Sequence, residues 1–190
     1  MSKLTESFTL GGQTNVELGV ELLEDFDEPI APDTRDNKVM IPGRHGEYVY
    51  DSDLESRTFK LRLSFVDTTG KMNLQAAIRT FIDHLVDVDG RPKDLELSFT
   101  KEPGWTYLVR YSGYMPIERV VHWGMFALPL QAAMPFAYAD AEIDEAEITS
   151  SPQTMEVTSN GTVKTPCKIW LKYPGGATIS GFTLKREVID

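Results

Sequence analysis

Cysteine is nearly absent from this chain: Cys167 is the single one among 190 residues. An internal disulfide is therefore excluded. Cys167 falls in an alternating run with Ile169 and Leu171, so it is expected as a small buried hydrophobe rather than a reactive thiol. Histidine is scarce too. His84 has no His or Glu at metal-binding spacing, and nothing in sequence pairs His45, His84 and His122, so three unrelated histidines are expected rather than a zinc or acid–base site. Positive charge is in deficit, with 19 Lys and Arg against 29 Asp and Glu and a net charge of −10. Such a surface repels phosphate backbones and argues against conventional nucleic-acid binding, although acidity is also an ordinary route to solubility. No apolar run approaches the roughly 18 residues of a membrane span. Residues 1–6 lack the apolar core of a signal peptide, so synthesis as a soluble cytoplasmic protein is expected. There is no internal repeat and no low-complexity tract. The Gly-x-Ser-x-Gly elbow, the phosphate loop and the dinucleotide fingerprint are all missing.

What is present is an ordinary globular composition, 41% hydrophobic and 25% charged, with a length that suits one domain plus an extra piece. Val16, Leu18, Val20 and Leu22 alternate with polar residues and Gly19, the period of a half-buried strand, and Ser7–Leu10 precedes them as a short strand. From Glu24 to Asn37 acids and prolines crowd the chain, which reads as a long exposed loop. Phe59, Leu61, Leu63 and Phe65 alternate with Lys60, Arg62 and Ser64, the clearest strand of the chain. Asn73 then caps a helix whose apolar stripe runs through Leu74, Ala77, Ile78, Phe81, Ile82, Leu85 and Val86, with Gly90 and Pro92 ending the segment. Leu95–Phe99 and Trp105–Tyr111 form a hairpin about Pro103-Gly104, and Ile117–Trp123 with Met125–Leu130 suggests a second. The expected class is mainly β (α+β): a sandwich-like domain with one amphipathic helix.

The boundaries follow composition. Residues 1–139 hold the main domain. Residues 140–152 are an acidic connector, with Asp140, Glu142, Asp144, Glu145 and Glu147 followed by Ser150-Ser151-Pro152. Residues 153–190 read as a short β-rich segment, with apolar pairs at Met155/Val157, Ile169/Leu171 and Phe182/Leu184. At about 40 residues it is marginal as an independent domain. It either packs on the first domain or begins a larger β module.

Candidate chemistry is thin. Asp51-Ser52-Asp53-Leu54-Glu55 partly matches a calcium loop but lacks its glycine and its closing glutamate. Gly43-Arg44-His45-Gly46 reads as a turn needing positive φ, with Arg44 free to pair with a carboxylate. Trp105, Tyr107 and Tyr111, on an alternating strand, read as core before they read as a sugar platform. No catalytic, cofactor or metal residue is assigned.

Two stretches remain as signatures: Ile41-Pro42-Gly43-Arg44-His45-Gly46-Glu47, and Phe126–Leu130 leading to Met134-Pro135-Phe136-Ala137-Tyr138. In order with the Ser7–Leu10 and Glu17–Val20 strands, the single helix and the Trp105 hairpin, they resemble the distal tail protein (Dit) family of long-tailed bacteriophages over roughly residues 4–139. Met134 stands where that family's pattern has an acidic residue. The resemblance implies a β-sandwich-like ring domain with an extended hairpin arm, six copies forming a ring at the distal tip of the tail. The implied partners are the tail tube protein, the tail hub or tail-associated lysin, and a receptor-binding protein. DNA would only pass through the lumen, with no membrane insertion and no enzymatic activity. In the family a galectin-like C-terminal domain follows, longer than residues 153–190, so a truncated, reduced or partner-completed version is implied. The candidate intersubunit interface is Ile41, Pro42, Gly43, Arg44, His45, Gly46 and Glu47 with Arg57. Two other functions compete. One is a module binding host cell-wall glycan through Trp105, Tyr107 or Trp170; the other is a small hydrolase using Glu47 and Asp51.

Overall fold

The computed structural model describes residues 7–24, 27–65, 73–120, 123–158, 160–163, 165–173, 175–176 and 181–187. The chain divides into two units, Met1–Glu142 and Ile143–Asp190. The first contains β1 (Phe8–Leu10), β2 (Gln13–Thr14), β3 (Val20–Leu22), β4 (Thr34–Val39), β5 (Tyr48–Leu54), β6 (Arg57–Phe65), α1 (Leu74–Leu85), β7 (Asp94–Phe99), β8 (Thr106–Tyr111), β9 (Ile117–Val120) and β10 (Trp123–Ala132).

Period-two sequences become strands with one dry face. On β6, Phe59, Leu61, Leu63 and Phe65 are buried, while Lys60 faces solvent. That apolar row fixes register, because a one-residue slip would turn it outward. β10 pairs antiparallel with β6 from Met125↔Ser64 to Ala132↔Arg57. Its other edge is shared, pairing first with β9 and then, at Leu130 and Gln131, with β8. β8, β7, β1 and β2 continue outward, and β3 lies on the far edge of β6. The sandwich-like packing expected from sequence thus takes the form of one curled antiparallel sheet. Its two ends meet at Asn15, whose N–H donates to the Phe8 carbonyl (3.0 Å) and whose carbonyl accepts from Val20 N–H (2.9 Å). The hairpin between β7 and β8 turns at Pro103-Gly104 as expected, with Gly104 at φ +84°.

The helix begins where its cap predicts. The Asn73 side-chain oxygen accepts from the N–H groups of Gln75 (3.1 Å) and Ala76 (3.3 Å), satisfying two of the orphan donors of the first turn. Its inward face delivers Phe81 between two sheet rings, with centroids 5.9 Å from Phe65 and 5.3 Å from Phe126. The stripe is narrower than its spacing suggests: Ile82 is exposed, and Val86 has left the helix to bridge to Pro92. His84 has a packing role, its Nε2 lying 2.9 Å from the Leu10 carbonyl oxygen. Gly11 is required there, because at its φ of +58° a Cβ would come within 2.8 Å of Leu95 and 3.0 Å of His84.

Four expectations change. Of the strand expected from Val16 to Leu22 only Val20–Leu22 forms, and Val16 stands exposed before it. The stretch from Glu24 to Asn37 is not all loop, since Thr34–Val39 is strand β4, paired with β5. Both strands are exposed along their whole length, so no buried face imprinted an apolar alternation. The β-rich segment expected at 153–190 is not formed among the described residues of the second unit, which carry neither strand nor helix. Ile169, Trp170, Leu171 and Phe182 stand exposed there. Cys167 is accordingly exposed rather than buried. Thr69-Gly70, His122 and Pro174 lie outside the described residues.

Phe81→Ala should lower the unfolding free energy by about 3–5 kcal/mol, the range for deleting a buried ring. Asn73→Ala should cost about 1 kcal/mol, the usual worth of an N-cap. Chemical denaturation of both variants, followed by circular dichroism, checks the ranking.

Candidate functional site

The residues singled out from sequence, Ile41 to Glu47, form the tip of the β4–β5 ribbon. The tip is built by a type II turn. Pro42 presets φ at its second position, Gly43 supplies φ +82° at the third, and Arg44 N–H donates to the Ile41 carbonyl at 3.1 Å. Gly46, at φ +87°, completes the return to β5. The same Pro-Gly device turns the β7–β8 hairpin.

The two faces of the ribbon differ. On one, Asp36 pairs across from Ser52, whose hydroxyl donates to its carboxylate at 2.6 Å. Lys38 lies between Asp36 (3.2 Å) and Glu47 (3.6 Å). The Ser52 and Lys38 hydrogen bonds hold the Asp36 carboxyl below its usual range, and Asp36 and then Glu47 push the Lys38 ammonium above its own. On the other face Val39 sits directly opposite Tyr48. Arg44 does not seek a carboxylate here: its guanidinium lies over the Tyr48 ring, 4.4 Å from the centroid, in cation–π geometry. Between these pairs the register shifts beside Asn37, where β5 carries one extra residue, a bulge that increases local twist.

Apolar side chains are exposed throughout: Val39, Met40, Ile41, Val49 and Tyr50 all stand open, the last at 69%. An isolated two-stranded ribbon is marginal in water, and contiguous exposed apolar surface marks a contact site.

Arg57 is not brought to the tip. It sits at the base of the ribbon, half-buried, where Nη1 donates to the Tyr107 hydroxyl (2.9 Å) and Nη2 to the Pro29 carbonyl. Pro29 and the ion pair Lys38–Asp36 are not legible as site residues, and Tyr107 is legible only as a sugar platform, not as a partner of Arg57. Asp36 and Lys38 become readable as same-face neighbours only once β4 is known to be a strand.

The other candidates separate. Tyr107 is buried while Trp105 is 43% exposed, so they share no open platform. Burial raises the Tyr107 hydroxyl's pKa, opposed by the Arg57 charge beside it. Asp51 and Asp53 lie on β5, the latter paired with Arg35 at 3.3 Å, and Glu47 is engaged by Lys38. Among the described residues no group of three His, Cys, Asp or Glu side chains converges as a metal site, and no helix is long and apolar enough to cross a membrane. The Pro135–Tyr138 stretch returns to the sheet: Tyr138 and Thr106 exchange backbone hydrogen bonds of 2.7 and 2.8 Å.

Comparison with known proteins places this geometry. The family of the phage tail protein RIFT-related domain matches residues 14–132, which include the whole ribbon. No curated protein matches the chain. Among solved structures, the Dit protein of phage SPP1, described as a paradigm of the hub adsorption apparatus in phages infecting Gram-positive bacteria, is similar in fold. Its TM-score is 0.59 at 16% identity, over 70% of this chain and 52% of that one. The matched region therefore spans about half of that protein's length.

The charge pairs give the ribbon a pH window. Asp36, with its pKa lowered in the folded ribbon, adds stability above the ordinary carboxylate range and loses it as pH falls through the lowered value. Lys38, raised, adds stability below its ordinary pKa and loses it as pH rises through the raised value. Cross-strand contacts between Lys38 and Val49, followed by NMR, should weaken on acidification. Asp36→Asn should remove that acid limb.

Proposed function

The chain belongs to the siphophage tail-protein family built on the RIFT-related domain, and on that premise we propose that it is a ring-forming structural protein at the distal end of the tail tube. Six copies close the ring. It joins the tube protein on one side to the hub or tail-associated lysin on the other, and it gives receptor-binding parts a place to attach. The observation that supports this reading is the β4–β5 ribbon, which has no buried face yet presents Val39, Met40, Ile41, Val49 and Tyr50 to solvent. A side-chain arrangement of this kind is suited to contact with another copy rather than to chemistry. Head-to-tail rings need two different patches per copy. The ribbon supplies one, with Ile41, Pro42, Gly43, Arg44, His45, Gly46 and Glu47 at its tip, and the body of the neighbouring copy supplies the other.

Electrostatics agree with a conduit. A net charge of −10 disfavours lasting contact with a phosphate backbone, since like charges repel, so DNA would pass without adhering. The role needs no catalytic residue and no cofactor. The glycan-binding reading keeps Trp105 and Trp170 as exposed rings but loses Tyr107 to the core.

Native mass spectrometry and negative-stain microscopy of the purified protein should give a six-copy ring with a central hole. Arg44→Glu reverses the charge over Tyr48 and should weaken assembly. A variant that assembles like wild type would remove the tip from the interface, and a stable monomer in the presence of tube and hub proteins would refute the ring.

A further inference from the structure

The ribbon has no core of its own, so its direction must be set where it leaves the sheet. Two legs meet there. The entry leg leads from β3 to β4, and its Asp27 exchanges two backbone hydrogen bonds of 3.0 Å with Lys60 of β6. The exit leg, Glu55-Ser56, is tied by Glu55 N–H to the Asp33 carbonyl (2.7 Å) and by Gln131 Nε2 to the Ser56 hydroxyl (2.7 Å). The Lys101–Glu28 ion pair adds a surface tie to the entry leg, and one further side chain joins that leg to the sheet from the foot of the exit leg.

That side chain is Arg57. It begins β6, directly after the exit leg. One guanidinium nitrogen donates to the Pro29 carbonyl on the entry leg, and the other donates to the Tyr107 hydroxyl on β8 at 2.9 Å. The guanidinium plane also lies over the rings of Phe59 (5.2 Å) and Tyr107 (4.9 Å). A planar fork with several fixed donors can bridge two acceptors and stack at once, which a lysine ammonium cannot. The arrangement has a cost, since the buried Nε finds no hydrogen-bond partner among the described residues. Arg57 is held in a pose that serves Pro29 and Tyr107 rather than its own full satisfaction.

We propose that Arg57 is the positioning residue that latches the ribbon to the sheet, bridging the Pro29 carbonyl of the entry leg to the Tyr107 hydroxyl of β8. It acts on the ribbon's direction and not on the sheet's stability. The backbone of Arg57 keeps its pairing with Ala132 whatever the side chain, and Phe59, Leu61 and Leu63 hold β6 in place independently.

Hydrogen exchange separates the two roles, with native mass spectrometry confirming that all variants are compared in the same oligomeric state. Arg57→Gln should speed exchange of the β4 and β5 amides by about tenfold, the scale of a lost hydrogen bond to a charged group, while the amides of Leu61 and Leu128 keep their wild-type rates. Tyr107→Phe, which keeps the ring and deletes only the hydroxyl, should speed the same ribbon amides by a smaller factor. Arg57→Lys should recover only part of the wild-type protection. The double variant should match Arg57→Gln, because both changes break one bridge. Equal acceleration in ribbon and sheet would reduce Arg57 to a core-supporting residue and overturn the proposal. So would multiplying effects in the double variant, or an unchanged ribbon in Tyr107→Phe. The measurement reads a single chain's motion, so its failure is distinct from failure of the ring itself.

Discussion

A curled sheet with an apolar inner face must be closed, and here α1 does so with two buried side chains, Phe81 and Leu85. Phe81 of α1 enters edge-on against Phe65 and Phe126, which are themselves stacked at 5.0 Å. Removing its ring would leave a cavity beside Phe65 and Phe126. Everything else is arranged around that contact. The Asn73 cap sets where the helix starts and hence which side chain reaches the rings. The apolar row of β6 fixes the register of β10, and β10 in turn serves β9 and β8 along one edge. At the far end of β6, Phe59 meets Tyr107 at 5.0 Å, so the core extends from the helix to the point where the ribbon departs.

The ribbon obeys different physics. With no buried face, it is held by backbone pairing, by charge pairs across and along its strands, by a Pro-Gly turn and by the stacking of Arg44 on Tyr48. Each such exposed interaction contributes little, because solvent screens the charges. The ribbon's apolar side chains consequently remain available, and its orientation is left to the residues at its base. Sheet and ribbon divide the work: one supplies rigidity, the other supplies surface.

This division explains what could be read from the chain. Strands with one dry face announced themselves through alternation, as in Phe59–Phe65, and α1 through its cap and three-four spacing. The Pro-Gly pairs marked two turns correctly. β4 left no such trace, because Thr34–Val39 is exposed on both faces and its acids and prolines look like loop. Arg57 was legible as an arginine near the arm, but its partners were not. Pro29 lies 28 residues before it and Tyr107 50 after it, and only the curl of the sheet brings them together. In the second unit the failure ran the other way. Cys167, Ile169 and Leu171 alternate like a strand, yet the described residues there carry none, since alternation is a weaker instruction than the packing it anticipates.

Ring closure joins these features. A head-to-tail interface produces a closed ring only if each copy is rotated relative to the last by the same correct angle; any other rotation gives an open helix. In the proposed ring that rotation is set by the angle between a copy's ribbon, which touches its neighbour, and its own sheet. A ribbon free to swing would bind its neighbour at many angles and lose more freedom on docking, which weakens association. A latched ribbon presents one angle. The Arg57 bridge to Pro29 and Tyr107 lies at the base of the ribbon, where a small change of angle is magnified along the strands to the Ile41–Glu47 tip. An arginine half-buried at the root of an arm would thereby govern whether copies of the chain close on themselves.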